Sequence, residues 1–156
     1  MACEVRIAGI EPESVVDGEG IRYVVFVQGC PHRCPGCHNP ETHSFDGGRV
    51  ADIDELFEEI RENPLLKGVT FSGGEPFCQS KPLAELARRV HGIGKDVTTY
   101  TGYLYEDLLE MPDPDVADLL AQTDTLIDGP FILAEKDLTL SFRGSRNQRI
   151  IKLTEK

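Results

Sequence analysis

Apolar residues along the chain occur in two patterns, short continuous runs and sets spaced three or four residues apart. The run from Tyr23 to Val27 is β-branched and aromatic and ends at Gly29, as a buried strand does. The stretch 53–60 has apolar residues at i, i+3, i+4 and i+7, which places them on one helix face. The same patterns predict strands at 68–71, 97–100, 125–127 and 150–153, and helices at 83–90 and 116–120. Strands alternating with helices predict an α/β fold with a mainly parallel sheet and right-handed crossovers.

Glycine-bearing polar loops follow four of these strands, at Gly29-Cys30, Gly73-Gly74, Thr101-Gly102 and Asp128-Gly129. Ligands of parallel α/β proteins bind at the sheet edge where the carboxyl ends of the strands meet. We therefore expect the four loops to form one site. A complete eight-unit barrel takes about 250 residues. The 156 residues of this chain predict a partial, open barrel instead.

The length of the chain favours a single domain spanning residues 1–156. It has 27 acidic and 16 basic residues, a net charge of −11, so its field repels phosphate backbones and we expect no nucleic-acid partner. The longest uncharged run, from Tyr23 to His32, has ten residues, too few to span a bilayer. The first residues show no secretory signal. We expect a cytoplasmic protein with no membrane association.

Three of the five cysteines, Cys30, Cys34 and Cys37, lie within eight residues. Cytosolic thiols stay reduced, and the number of cysteines is odd, so a disulfide framework does not explain the clustered cysteines well. Soft thiolate ligands favour an iron–sulfur cluster or zinc. A structural zinc site needs a fourth ligand, which Cys3, Cys78 or a histidine would have to supply. Three ligands in one loop suit a four-iron cluster with one open iron, and we expect Cys3 and Cys78 to be small buried apolar side chains.

The spacing of Cys30, Cys34 and Cys37 resembles the signature of the radical S-adenosylmethionine (SAM) superfamily, and a second motif supports the resemblance. The segment Ser72–Pro76 reads Ser-Gly-Gly-Glu-Pro and matches the second motif of glycyl-radical activases, and Asp17–Arg22 matches their lead-in to the cysteines. Thr101-Gly102-Tyr103 and the segment from Gly144 to Arg149 resemble the activating proteins of anaerobic ribonucleoside-triphosphate reductases specifically.

This resemblance covers about residues 14–148 and implies a partial, open β/α barrel of the radical SAM type. It implies that the metal ligands Cys30, Cys34 and Cys37 hold a [4Fe-4S] cluster whose fourth iron binds the amino and carboxylate groups of SAM. Gly74 is expected to allow the closest approach of SAM, because it lacks a Cβ. The implied cofactor-binding residues are Ser72, Gly73, Gly74 and Glu75 for the methionine half of SAM and Gly36 and His38 for the nucleoside half.

The implied function is the activation of anaerobic ribonucleoside-triphosphate reductase. A reduced cluster cleaves SAM into methionine and a 5′-deoxyadenosyl radical, which takes a hydrogen atom from a glycine of the reductase and leaves a glycyl radical there. The implied partners are the reductase, as protein substrate, and a low-potential electron donor such as flavodoxin.

Three other functions stay open at this point. The first is activation of another glycyl-radical enzyme, such as pyruvate formate-lyase. The second is that of a zinc-stabilised binding module without catalysis. The identity of the bound metal separates the second of these from an activase. An electron-transfer protein of the ferredoxin type is disfavoured, because the loop has no fourth cysteine and electron transfer does not need the Gly-Gly-Glu motif.

Three charged residues each have two interpretations. Arg22 either offsets the negative charge of the thiolate cluster or lies in solvent. Asp128 either binds a cofactor hydroxyl group or caps the turn that follows it, and we favour the cap. Arg149 either docks an acidic partner or is ordinary surface, and we favour surface.

Overall fold

A computed structural model describes residues 4–15, 18, 20–29, 48–129 and 147–153. Its strands are β1 (Glu4–Ser14), β2 (Arg22–Val27), β3 (Arg49–Asp52), β4 (Gly68–Gly73), β5 (Asp96–Tyr100), β6 (Thr125–Asp128) and β7 (Arg149–Lys152). Its helices are α1 (Ile53–Glu62), α2 (Ser80–Gly92), α3 (Tyr105–Glu110) and α4 (Pro114–Gln122), with a 3₁₀ turn at Pro76–Gln79.

The strands form one sheet in the order β3-β1-β2-β4-β5-β6-β7. The four central strands β2, β4, β5 and β6 run parallel to one another, which confirms the predicted mainly parallel sheet. At the sides, β1 is antiparallel to β2 and to β3, and β7 is antiparallel to β6. Across the described residues β3 and β7 stay at opposite edges, so the sheet is open and does not close into a barrel.

Helices α1, α2 and α4 pack side by side, and their buried apolar side chains join those of the sheet in one core cluster. Helix α1 begins where Asp52 Oδ1 accepts a hydrogen bond from Asp54 N at 2.8 Å, and it buries the predicted Ile53, Leu56 and Ile60. Helix α2 packs against α1, α4, β4 and β5. Within the described ranges, no helix combines the length and apolar character needed to cross a membrane.

Three elements of the structure were not predicted: β1, β3 and α3. In β1, Val5 and Ile7 are buried whereas Glu4, Arg6 and Ala8 are not, which is the alternation typical of a half-buried strand. Register shifts between Ile7 and Gly9 and between Glu11 and Ser14 interrupt the ladder with β2, and the alternation stops there. The strand predicted near residue 150 exists as β7, but it runs antiparallel.

Both interpretations of Arg22 were wrong. Its side chain is only 1% exposed, and it lies at the start of β2, a full strand length away from Gly29. The guanidinium group donates to Thr70 Oγ1 at 2.7 Å and to the Val69 carbonyl at 2.6 Å, and it lies 2.6 Å from Asp96 Oδ1. Arg22 therefore joins the amino-terminal ends of β2, β4 and β5.

Replacing Arg22 with methionine should strongly destabilise the protein, because the partly buried Asp96 and the buried Thr70 lose their charged partner. Urea denaturation should show a loss of about 3 kcal/mol in the free energy of unfolding. Arg61→Met is the matched control, since Arg61 pairs with Glu58 at 2.5 Å and both side chains are more than half exposed. That control should cost under about 0.5 kcal/mol. Equal losses in the two variants would contradict this assignment.

Candidate functional site

The loops after the four parallel strands meet at one edge of the sheet, as the sequence predicts. We call this edge the rim and define it by Gly29 and residues 73–75, 101–103 and 128–129. The strands β2, β4, β5 and β6 that carry these loops are neighbours in the sheet. Residue Cys30, which follows Gly29, lies outside the described residues.

Two main-chain hydrogen bonds join the Gly-Gly-Glu loop to the end of β2. Gly74 N donates to the Val27 carbonyl at 2.8 Å, and Glu75 N donates to the Gly29 carbonyl at 2.7 Å. Gly29 directly precedes Cys30 in the sequence, so the Gly-Gly-Glu loop lies beside the residue after which the three clustered cysteines follow. Three clustered thiols are a donor set that suits iron. The cysteine donor set thus suits an iron–sulfur cluster, and the described residues bring the Gly-Gly-Glu loop next to the residue that precedes Cys30.

Close packing against β2 requires glycine at position 73. Gly73 has φ +92°, and a Cβ added there would lie 2.6 Å from Val27 N and 2.7 Å from the Val27 carbonyl oxygen. Ser72, the residue before it, is buried and pairs with Phe26 in the ladder between β2 and β4. The close approach of SAM at Gly74 stays a prediction.

The carboxylate of Glu75 is fully buried and is used within the chain. Its Oε2 accepts hydrogen bonds from Thr101 Oγ1 at 2.8 Å and Phe77 N at 3.2 Å, and its Oε1 accepts from Gly102 N at 2.8 Å. The contact of Glu75 with SAM stays a prediction. Sequence reasoning missed the pairing of Glu75 with Thr101, because it depends on β4 and β5 being neighbours.

Hydrogen bonds continue along the rim from β5 to β7. Thr101 N donates to the Ile127 carbonyl at 2.9 Å, and Gly129 N donates to the Tyr103 carbonyl at 3.0 Å. The Gln148 side-chain amide donates to the Gly129 carbonyl at 3.0 Å. We call this chain of bonds the rim network; its members are Gly29, Glu75, Thr101, Tyr103, Gly129 and Gln148. It links the Gly-Gly-Glu, Thr-Gly-Tyr and Asn-Gln-Arg motifs.

Asp128 caps the start of α3, whereas the turn that follows it continues at Pro130, outside the described residues. Its Oδ2 accepts from Tyr105 N at 2.8 Å at the start of α3, and its Oδ1 accepts from Arg149 Nε at 3.0 Å. Arg149 also donates to both carboxylate oxygens of Glu106, at 2.9 and 2.7 Å, and this pairing lowers the pKa of Glu106 to about 2. Arg149 lies at the surface, as expected, but it is not merely solvated: its bonds tie β7 to β6 and α3.

Cys78 is exposed, so the expectation of a buried apolar side chain was wrong for this residue. It lies in the 3₁₀ turn, where its N–H donates to the Glu75 carbonyl at 3.0 Å. Partial desolvation of the sulfur and the nearby Glu75 carboxylate raise the pKa of the Cys78 thiol, while a hydrogen bond with Tyr103 opposes that shift. The thiol is therefore protonated at neutral pH, unlike an activated nucleophile.

The remaining predicted site residues lie outside the described ranges. They are Cys30, Cys34, Cys37, Gly36 and His38, together with Cys3. Among the residues the structure does describe, no group of three or more histidine, cysteine or acidic side chains is arranged to hold a metal ion. Ligation by the three clustered cysteines stays a prediction.

Gly73→Ala should destabilise the protein by about 2 kcal/mol or more, because the added Cβ meets the β2 backbone and φ is positive. Gly92→Ala is the matched control: Gly92 ends α2, and a Cβ there would meet nothing within 4 Å. Alanine at that position should stabilise the helix by about 0.5 kcal/mol. Thermal and urea denaturation measure the stability of both variants. A Gly73→Ala protein as stable as the parent would refute the packing argument.

Comparison with known proteins adds to this geometry. The family described as a 4Fe-4S single cluster domain matches residues 16–151. An anaerobic ribonucleoside-triphosphate reductase-activating protein of Haemophilus influenzae is 35% identical over 147 residues, covering 89% of this chain and 92% of the relative. The Vibrio cholerae protein of the same name is 35% identical over 151 residues, covering 92% of this chain and 95% of that protein.

A pyruvate formate-lyase-activating enzyme of Clostridium pasteurianum is 41% identical over 118 residues, which are 69% of this chain and 49% of that enzyme. The full-length matches are thus to the reductase-activating proteins, and the match to the formate-lyase enzyme covers half of it. The chain therefore belongs to the 4Fe-4S single cluster domain family, together with the anaerobic ribonucleoside-triphosphate reductase-activating proteins.

Proposed function

We propose that this chain is the enzyme that activates an anaerobic ribonucleoside-triphosphate reductase by generating a glycyl radical on it. One observation of the structure carries the proposal: the 2.7 Å hydrogen bond from Glu75 N to the Gly29 carbonyl. That bond places the Gly-Gly-Glu loop beside Gly29, the residue that precedes Cys30. SAM bound to the cluster would contact both the cysteine-bearing segment and the Gly-Gly-Glu loop, so the two must lie next to each other.

The chain uses a [4Fe-4S] cluster and SAM as its cofactors. In this proposal Cys30, Cys34 and Cys37 ligate three irons, and SAM binds the fourth. When bound, the cluster supplies the low-potential electron that cleaves SAM and so starts the hydrogen abstraction from the reductase glycine. Membership in a 4Fe-4S family argues against the zinc-held module and for this cofactor.

The protein's own residues bind and orient SAM. The main chain of residues 72–75 lies against the methionine half, and Gly36 and His38 contact the nucleoside half. Gly73 allows the loop after β4 to approach β2, and the buried Glu75 carboxylate holds that loop against β5. Because these residues are held in place before SAM binds, orienting SAM in the site costs less entropy.

We also infer the larger arrangement. The open sheet corresponds to the partial β/α barrel of the radical SAM type, and its open side admits the glycine-bearing loop of the reductase. One continuous hydrophobic cluster from β1 to β6 supports a single domain over residues 1–156. A low-potential donor such as flavodoxin reduces the cluster, and the cytoplasm keeps the thiols reduced.

A second candidate substrate is a pyruvate formate-lyase. The similarity to a pyruvate formate-lyase-activating enzyme favours it. Coverage favours the reductase, because the match spans 92% and 95% of two reductase-activating proteins but only 49% of the formate-lyase-activating enzyme.

Anaerobic reconstitution tests the cofactors. The parent chain should bind about four irons and four sulfides, and addition of SAM should change the spin-resonance spectrum of the reduced cluster. Alanine at position 30, 34 or 37 should lower the iron content severely. Cys78→Ala is the matched control, because Cys78 is exposed and its thiol stays protonated, and it should keep its iron. One zinc per chain without any response to SAM refutes the proposal.

Radical transfer tests the substrate. The reconstituted chain, SAM and a chemical reductant are mixed with purified anaerobic ribonucleoside-triphosphate reductase or, separately, with pyruvate formate-lyase. The glycyl radical signal should appear on the reductase at least about tenfold faster, a preference of about 1.4 kcal/mol in the barrier. The Cys30→Ala chain should produce no signal with either protein. Faster transfer to the formate-lyase selects the second candidate.

A further inference from the structure

We propose that Thr101 is a positioning residue for SAM: its hydroxyl group fixes the Glu75 carboxylate and thereby the main chain of the Gly-Gly-Glu loop. This inference rests on the proposed function, because it concerns the same SAM site. It assigns a role to the Thr-Gly-Tyr motif, which the proposed function leaves without one.

The hydroxyl of Thr101 has a defined donor direction. Tyr103 N donates to Thr101 Oγ1 at 3.1 Å, so the oxygen already serves as an acceptor. The hydroxyl hydrogen is then directed to Glu75 Oε2, 2.8 Å away, which as a carboxylate oxygen can only accept. Thr101 itself is buried, and its N–H is held by the Ile127 carbonyl at 2.9 Å. The donor therefore has a fixed position.

The Glu75 carboxylate depends on donors from the β5 loop. Two of the three hydrogen bonds described for it come from Thr101 and Gly102, and the third comes from Phe77 of its own turn. A fully buried carboxylate that loses a donor bears a large desolvation penalty. Without the Thr101 hydroxyl, the carboxylate is expected to move toward another donor or toward water.

A shift of the Glu75 carboxylate also displaces the main chain at the proposed SAM site. The Glu75 N–H is bonded to the Gly29 carbonyl, so the residue joins the β2 loop on its main-chain side to the β5 loop on its side-chain side. Residues 73–75 lie between these two anchors. Loosening one anchor therefore moves the segment proposed to contact the methionine half of SAM, while the cysteines that hold the cluster stay unchanged.

A buried threonine within β5, two residues before Thr101, offers a matched control. Thr99 is fully buried, and its hydroxyl pairs with that of Thr123 at 2.9 Å, which in turn donates to the Leu119 carbonyl. That pair lies between the sheet and α4, away from the rim network. Thr99→Val removes a buried hydroxyl from β5, and Thr101→Val removes one directly after β5. Of these two hydroxyl groups, that of Thr101 is the one bonded to Glu75.

The experiment compares Thr101→Val, Thr101→Ser and Thr99→Val, each reconstituted with iron and sulfide. Titration with SAM, followed by the spectral change of the reduced cluster, gives the Kd for SAM; iron content and melting temperature are measured on the same samples. Thr101→Val should weaken SAM binding about tenfold with unchanged iron content, since one hydrogen bond to a charged group is lost. Thr101→Ser and Thr99→Val should stay within about twofold of the parent.

Several results overturn the inference. These are parent-like SAM binding by Thr101→Val, equal weakening by Thr99→Val, failure of Thr101→Ser to restore binding, and loss of iron from Thr101→Val. If Thr101→Val does not fold, Thr101→Ala provides the same comparison without the added methyl group. A parent chain whose cluster ignores SAM refutes the proposed function, and this inference with it. A responsive parent with a parent-like Thr101→Val refutes the inference alone.

Discussion

A carboxylate without access to water requires hydrogen-bond donors, and Glu75 obtains two of its donors from the loop of the neighbouring strand. This requirement fixes the loop after β4 relative to the loop after β5. The main chain of the same residue is bonded to the end of β2. Three strand ends are therefore held by one side chain and its backbone, and the bonds of the rim network extend this arrangement to β6 and β7.

The opposite end of the sheet is held by a different buried charge. Arg22 joins the starts of β2, β4 and β5 through Thr70, Val69 and Asp96. Between these polar ends, alternate strand residues and the helices form one apolar core. Hydrophobic burial is not directional, whereas hydrogen bonds to buried charges are. The core thus supplies stability, and the two polar ends set the positions of the strands relative to each other.

The sequence predicted the parallel strands, three of the helices and the meeting of four loops, because those features follow from hydrophobic periodicity and from the common direction of parallel strands. Periodicity did not predict β1, whose alternation is broken by register shifts after Ile7 and Glu11. The six residues of α3 offer less than two helical turns to any periodic pattern.

Side-chain partners were the harder part of the prediction. Arg22, Asp128 and Arg149 each bond a residue that is distant in sequence, Asp96, Tyr105 and Glu106 respectively. Such pairings depend on strand order, which local sequence does not specify. The cysteine spacing favoured an iron–sulfur cluster over zinc without deciding between them, and the 4Fe-4S family match supports the cluster. Which residues ligate it stays a prediction.

The Ser-Gly-Gly-Glu-Pro segment shows how one short motif combines packing with chemistry. Gly73 is required by the backbone of β2, and Glu75 by the donors of the β5 loop. Pro76 occupies the first position of the 3₁₀ turn, where its missing N–H costs nothing, while Glu75 caps that turn through Phe77 N. Three of the five positions therefore have structural reasons that need no ligand. Gly74 lies between two anchored neighbours, so a molecule bound there meets a main chain whose position is already fixed.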